Sequence, residues 1–297
     1  MRVAVTGATG FLGRYIVNHL LERGHSCRAA WRPGRSDRGG FVDGPLEWVP
    51  FELGDPAGCG PLVHGVDAVV HAALHRQGAG FRGAEGDLAE FAQRNIIGTL
   101  RLIQAAVDAG AGRFVFISTC AVHEVILPDR PLDEAHPLWP TSHYGAHKAA
   151  IEKFVHSFGF GGHYPVCALR PTGIYGLARP PEASRWFDLV RAVKAGEPVA
   201  SARGGKEVHA ADVARAVEIL LEAEGVAGQV YNCCDGYVAE EEVARIAREL
   251  SGSGSPIASL NRGPKNRIDT RKIEALGMVF GGRPRLRATV AELLEVA

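Results

Sequence analysis

The eight residues Thr6-Gly7-Ala8-Thr9-Gly10-Phe11-Leu12-Gly13 restrict the fold more than any other part of this chain. They follow a short, apolar, β-branched run, Val3-Ala4-Val5, and lead directly into helical spacing of apolar residues at Ile16, Val17, Leu20 and Leu21. Strand, glycine turn and helix in that order, with a second strand pattern from Ser26 to Trp31, predict a βαβ unit. Glycine permits the tight turn, lets backbone N–H groups approach a phosphate, and allows the helix to pack close to the strand with its positive end toward the anion. The spacing T-G-x-x-G-x-x-G at this place predicts a dinucleotide-binding domain.

Further apolar strand patterns at 46–53, 68–71, 113–117 and 165–169 alternate with helical stretches. That alternation predicts the α/β class: a Rossmann-type doubly wound parallel sheet with helices on both faces. One continuous helix is expected over about 85–109, and another begins after Pro140 with Thr141 or Ser142 as its cap. Beyond residue 176 the pattern changes. Residues 1–176, with a return at 207–233, read as the NAD(P)-binding domain; 177–206 and 234–297 read as a smaller, mostly helical C-terminal substrate lobe. Val208 to Asp212 is expected to open a helix reaching Glu224. The chain has 297 residues, 46% of them hydrophobic, enough for a large core.

Tyr144 and Lys148 stand four residues apart on the helix after Pro140, so a phenol and an ammonium share one face. A positive charge beside a tyrosine favours the phenolate, which suits acid/base work. Ser118-Thr119, at the end of the 113–117 strand, adds a hydroxyl pair. After the second strand, where a cofactor with a free ribose 2′-hydroxyl would want an acid, the chain offers Arg32 and Arg35. Arginine there favours a 2′-phosphate, so NADP is preferred over NAD. The glycine-rich stretch 74–86, with His75, Arg76 and Arg82, lies between a strand's carboxyl end and the next helix, and reads equally as a substrate lid or a surface loop.

Lys+Arg and Asp+Glu both number 33, so no net field favours nucleic acid or an anionic membrane. No apolar run reaches about 18 residues and no leader pattern precedes the first strand, which suggests a cytoplasmic protein. The six cysteines show no C-x-x-C spacing; they read as reduced core thiols, and no metal site is expected.

Taken in order, Thr6-Gly-x-x-Gly-x-x-Gly13, Asp55, His71-Ala-Ala73, Asn95-x-x-Gly-Thr99, Ile117-Ser-Thr-x-x-Val122, Tyr144-x-x-x-Lys148, Arg170-Pro-Thr-x-Ile-Tyr-Gly176 and Val208-His-x-x-Asp212-Val213 resemble an extended short-chain dehydrogenase/reductase of the NAD(P)-dependent epimerase/dehydratase family. The resemblance spans essentially the whole chain. It implies that Tyr144 is the general acid/base, that Lys148 binds the nicotinamide ribose and lowers the tyrosine pKa, and that Thr119 bonds the reacting oxygen with Ser118 in support. It further implies that Gly7, Thr9, Gly10, Phe11, Leu12 and Gly13 hold the pyrophosphate, Asp55 the adenine, and Ala72, Ala73, Pro171 and Thr172 the rest of the cofactor. Asn95 is expected to hold backbone. A homodimer through the helices of 85–110 and 141–158 is common among relatives.

The chain also departs from the family. His123 and Glu124 stand where a tyrosine and glycine are usual, and His123 is expected to face solvent. His147 replaces a common serine. Cys120 and Ala121 occupy the positions of the Asp-Glu pair that dehydratases use to eliminate water, which disfavours dehydration. Three functions remain: an oxidoreductase or epimerase acting on a hydroxyl or carbonyl of a sugar or nucleotide-sugar, a carbonyl reductase of a small non-sugar ketone or alcohol, and a non-catalytic NAD(P)-sensing regulator. The intact Thr119, Tyr144 and Lys148 weigh against the last.

Overall fold

The structure, a computed structural model, describes residues 1–34, 37–78 and 83–297. Seven strands form one parallel sheet: β1 (Arg2–Thr6), β2 (Ser26–Trp31), β3 (Leu46–Pro50), β4 (Ala68–His71), β5 (Arg113–Ile117), β6 (Val166–Pro171) and β9 (Val230–Cys233). Their order is β3-β2-β1-β4-β5-β6-β9, every pair parallel. The first crossover runs outward from β1 to β2 and the chain then returns to place β4 on the other side of β1. The order therefore reverses between β1 and β4, and a crevice opens beyond their carboxyl ends, where ligands bind in open α/β sheets. β-branched and aromatic residues dominate the inner strands, and Val69, Phe114 and Phe116 pack against Leu102, Ile103, Ile151 and Val155 from the covering helices.

The helices of this region are α1 (Phe11–Glu22), α2 (Cys59–Val63), α3 (Leu88–Ala92), α4 (Gly98–Asp108), α5 (His143–Phe160), most of α7 (Ala210–Glu222) and α9 (Arg271–Glu274). The helix expected over 85–109 is divided: a wider turn at Gln93–Ile97 separates α3 from α4. Asn95 explains it, because its side-chain amide donates to Phe91 O at 2.9 Å and so enters the helical ladder.

The chain divides into two compact units. The first comprises 1–171, 213–233 and 269–278, and the second 172–212, 234–268 and 279–297. The second unit holds α6 (Phe187–Lys194), α8 (Glu240–Ser251) and α10 (Gly282–Val296) around Val190, Val243 and Leu293. It also holds a three-stranded sheet that the sequence did not reveal: β8 (Gly204–His209) runs parallel to β7 (Gly173–Tyr175) and antiparallel to β10 (Gly236–Ala239). Val208 and His209, expected in a helix, end β8, and α7 starts at Ala210. Among the described residues no helix is long and apolar enough to cross a membrane. All six cysteines are free thiols.

Candidate active site

The turn after β1 is shaped by close approach. Gly7 has φ +68°, and a Cβ there would stand 2.8 Å from the carbonyl carbon of Ala72. A Cβ on Gly13 would lie 2.0 Å from Gly7 O, so the helix start is pressed onto the turn. Gly10 caps α1 without a side chain, which leaves the first-turn N–H groups to whatever occupies the crevice. Thr9, Phe11 and Leu12 belong to the same turn and helix start.

Behind the turn runs a buried polar chain. Thr6 Oγ1 accepts the backbone N–H groups of Ala72 and Ala73, both at 3.1 Å, and donates to His71 Nδ1 at 2.6 Å. His71 Nε2 then donates to Thr99 Oγ1 at 2.9 Å, and Thr99 donates to Asn95 O at 2.5 Å. Burial, reinforced by the Lys148 charge, pulls His71 down to about 3, so its ring is neutral, as this pattern requires. Asn95 finishes the chain by accepting from His75 N and donating to His75 O at 2.8 and 3.0 Å. The small residues Ala72 and Ala73 are thereby fixed against Gly7.

The second cluster joins β5 to α5. Ser142 caps α5 by accepting from Gly145 N at 3.1 Å, and Glu124 accepts from Thr141 Oγ1, Ser142 N and Ser142 Oγ at 2.9, 2.8 and 3.1 Å. Gly145 lets this first turn settle on the segment after Thr119, because a Cβ there would come within 2.7 Å of Ala121 O. The turns of Tyr144 and Thr119 are therefore packed together. Thr119 Oγ1 accepts from Ala121 N at 3.1 Å, and Tyr144 is half-buried with its ring 5.4 Å from that of His147. One turn on, buried Lys148 donates to Ile117 O at 2.7 Å, and its Nζ lies 4.5 Å from the centre of the Phe116 ring. Burial pulls its ammonium down to about 7, partly offset by Glu152.

Glu152, a further turn along α5, is fully buried and paired. Its Oε1 accepts from Ser118 Oγ at 2.5 Å and Arg170 Nε at 2.9 Å, and its Oε2 from Arg170 Nη2 at 2.7 Å. Arg170 also reaches His123 Nε2 at 3.1 Å. His123 is thus buried, not solvent-facing as its sequence position suggests; desolvation and the neighbouring guanidinium push it down to about 3. His147 is buried too, packed edge-on to Phe91 at 5.0 Å, and burial keeps it neutral.

Other expected site residues lie apart from these clusters. Asp55 caps the short turn Pro56–Gly58 by accepting from Ala57 N at 3.0 Å. Arg32 lines a cleft of about 430 Å³ with Glu52, His75, Arg76 and Arg94, among others. Arg35 and Arg82 lie outside the described residues. Pro171 ends β6, and Thr172 begins the second unit.

The sequence motifs include His71, Thr99 and Arg170, and Glu124 stands out as a departure, but sequence reading gives none of them a role; it does not single out Glu152, although its place four residues after Lys148 is legible. In the second unit it misses Glu207. This side chain is 1% exposed, accepts from Arg185 Nη2 at 2.5 Å through Oε1, and has no partner for Oε2. A Cβ on either Gly173 or Gly205 would come within 2.3 Å of its carboxylate.

A glycine turn at the first strand–helix junction, a buried lysine beside a hydroxyl-bearing strand end and a tyrosine on the same helix thus stand on one parallel α/β sheet. The model of the NAD dependent epimerase/dehydratase family matches residues 3–234, and the chain belongs to that family of enzymes. Among its relatives are the low-salt glycan biosynthesis protein Agl12 of Haloferax volcanii, 29% identical over 93% of each chain. Another is a 4-hydroxy-2-methyl-3-oxo-4-farnesyl-3,4-dihydroquinoline-1-oxide ketoreductase of Stigmatella aurantiaca, 32% identical over 80% of this chain and 69% of that one. Of solved structures, the dTDP-glucose 4,6-dehydratase DesIV of Streptomyces venezuelae, with NAD bound, superimposes with a TM-score of 0.78 at 26% identity, covering 99% of this chain and 97% of its own.

Proposed function

We propose that this chain is an NAD(P)-dependent oxidoreductase or epimerase that acts on a hydroxyl or carbonyl of a sugar or nucleotide-sugar, with Tyr144 as general acid/base. The observation that carries the reading is Lys148, buried, bonded to Ile117 O and set one helical turn from Tyr144 beside the Ser118-Thr119 strand end. The turn fits the cofactor: Gly7 and Gly13 let it pack tightly against Ala72 and against itself where a side chain would collide with backbone, and α1 presents uncapped N–H groups to a pyrophosphate. When bound, the nicotinamide supplies hydride acceptance and donation. Thr119 orients the reacting oxygen, Tyr144 gives or takes its proton, and the Lys148 ammonium favours the phenolate at that step. The two positions after Thr119 offer no acid/base pair for eliminating water, since Ala121 is inert and the Cys120 thiol donates to Arg170 O at 3.0 Å.

A second reading, an NADPH-dependent reductase of a small non-sugar ketone, is favoured by one observation. Arg32, Arg76 and Arg94 converge on the cleft beyond β2, where a 2′-phosphate would sit, although Arg94 is engaged by Glu52 and Glu90, both at 2.9 Å. Arg32→Ala should weaken NADPH binding far more than NADH binding; equal effects would remove Arg32 from this role. Assembly as a homodimer through the helices of 85–110 and 141–158 fits the exposure of Ile97 and Phe154.

The test of the main reading is Tyr144→Phe. Turnover across a panel of nucleotide-sugars and simple ketones should disappear while NAD(P) affinity, read by nicotinamide fluorescence, changes less than about twofold. Full retention of activity overturns the assignment.

A further inference from the structure

The amino-terminal ends of the first unit's strands, opposite the crevice, carry a cluster unrelated to the chemistry above. His25 immediately precedes β2 and is 8% exposed. Glu218 and Glu222 lie one turn apart on α7 and so share a face. His25 Nε2 stands 3.9 Å from Glu218 Oε1 and 3.7 Å from Glu222 Oε1. These separations are too long for hydrogen bonds. They are close to the spacing of two ligands on one small cation: bonds of about 2.0–2.2 Å in a tetrahedron put donor atoms about 3.3–3.6 Å apart. One donor atom from each residue lies within 4.8 Å of the others.

The surroundings act in both directions. His25 Nδ1 lies 3.3 Å from the Met1 ammonium, which donates to it and leaves the ring proton on Nε2; ligation through Nε2, the ring atom facing the acids, requires the Met1 nitrogen to give up a proton and accept from Nδ1 instead. His19 Nε2 is 2.7 Å from the second oxygen of Glu218, the outer contact that orients a ligating carboxylate. Arg23 is a second opposing feature: its Nε donates to Glu218 Oε1 at 2.8 Å. Its side chain is 62% exposed, and a turn into solvent would clear the position.

We propose that His25, Glu218 and Glu222 bind one divalent cation of the zinc class, with water completing the coordination and His19 positioning Glu218. One imidazole and two carboxylates form a borderline nitrogen/oxygen set suited to zinc. The ion would clasp the turn between α1 and β2 to α7, on the side of the sheet away from Tyr144 and Lys148. Because none of these residues belongs to the proposed catalytic machinery, the site stands or falls apart from the functional reading.

Chelator-treated full-length protein should bind one equivalent of Zn²⁺ by calorimetry, and Co²⁺ should give the strong visible absorption of a tetrahedral site. His25→Ala and Glu222→Gln should each weaken Zn²⁺ binding at least tenfold, whereas Arg23→Ala should tighten it several-fold by removing the competing cation. Glu222, with a side chain 57% exposed, keeps the test independent of folding defects. The proposal is overturned if wild-type protein takes up no stoichiometric Zn²⁺, or if His25→Ala and Glu222→Gln bind it as wild type does. Either outcome would leave the cluster an ordinary ion-pair network.

Discussion

In each unit a glutamate almost wholly withdrawn from solvent is paired with an arginine, Glu152 with Arg170 and Glu207 with Arg185, and the two pairs are built on different principles. In the first unit Glu152 meets Arg170 through two hydrogen bonds and Ser118 through a third; both ends of the pair are enclosed. In the second unit Glu207 is equally enclosed, yet one of its oxygens is unpartnered, and the guanidinium of Arg185 is 44% exposed. Burial pushes the Glu207 carboxyl up to about 7, with Arg185 only partly opposing it. A pair with both carboxylate oxygens partnered is architecture: it ties the Ser118 strand end to the helix carrying Tyr144 and Lys148. A pair with an unused acceptor holds a charge at the expense of stability, the situation in which binding groups are found.

The contrast is broken most forcefully at Glu152. Glu152→Ala strands the Arg170 charge in the core and should lower the unfolding free energy by about 3–5 kcal/mol, read by urea denaturation. A loss under about 1 kcal/mol would show that the pair is not structural. Glu207→Gln should act in the opposite direction at alkaline pH. With a raised folded pKa, wild-type protein holds a proton that the unfolded chain has released. The stability contributed is fully present below about 4.5 and is lost as pH rises through about 7. Relative to wild type, the glutamine variant should therefore gain roughly 3 kcal/mol between pH 4.5 and 8. Parallel profiles for the two proteins would contradict the raised pKa. The smallest effect is expected from Arg185→Ala. A partner this exposed is screened by solvent, so the loss should be no more than about 1 kcal/mol at neutral pH. The Glu207 carboxyl resonance, followed by NMR, should titrate at still higher pH in that variant.

The glycine turn, the parallel sheet and the Tyr144–Lys148 spacing were legible in the sequence because each is local: period, glycine placement and i, i+4 geometry need no knowledge of distant residues. What stayed hidden depends on long-range partners. His123 is buried by Arg170, forty-seven residues away in the chain. Asn95 widens its helix by bonding inside it, which no periodicity signals. The sheet of β7, β8 and β10 escaped because its strands are three to six residues long and rich in glycine and charge, so alternation has no room to appear. Glu207 was hidden with them; the run Gly204-Gly205-Lys206-Glu207 reads as a surface turn until Gly173 is seen to lie against the glutamate.

The interrupted first unit has a consequence for how the protein is made. Its sheet is complete only when β9 joins β6, and its last piece is 269–278. During synthesis, β1 to β6 emerge well before β9, leaving one side of β6 as an open edge of unpaired amides and carbonyls. Nascent chains stalled before Val230 should therefore recruit holdase chaperones or aggregate, and chains stalled beyond Met278 should not.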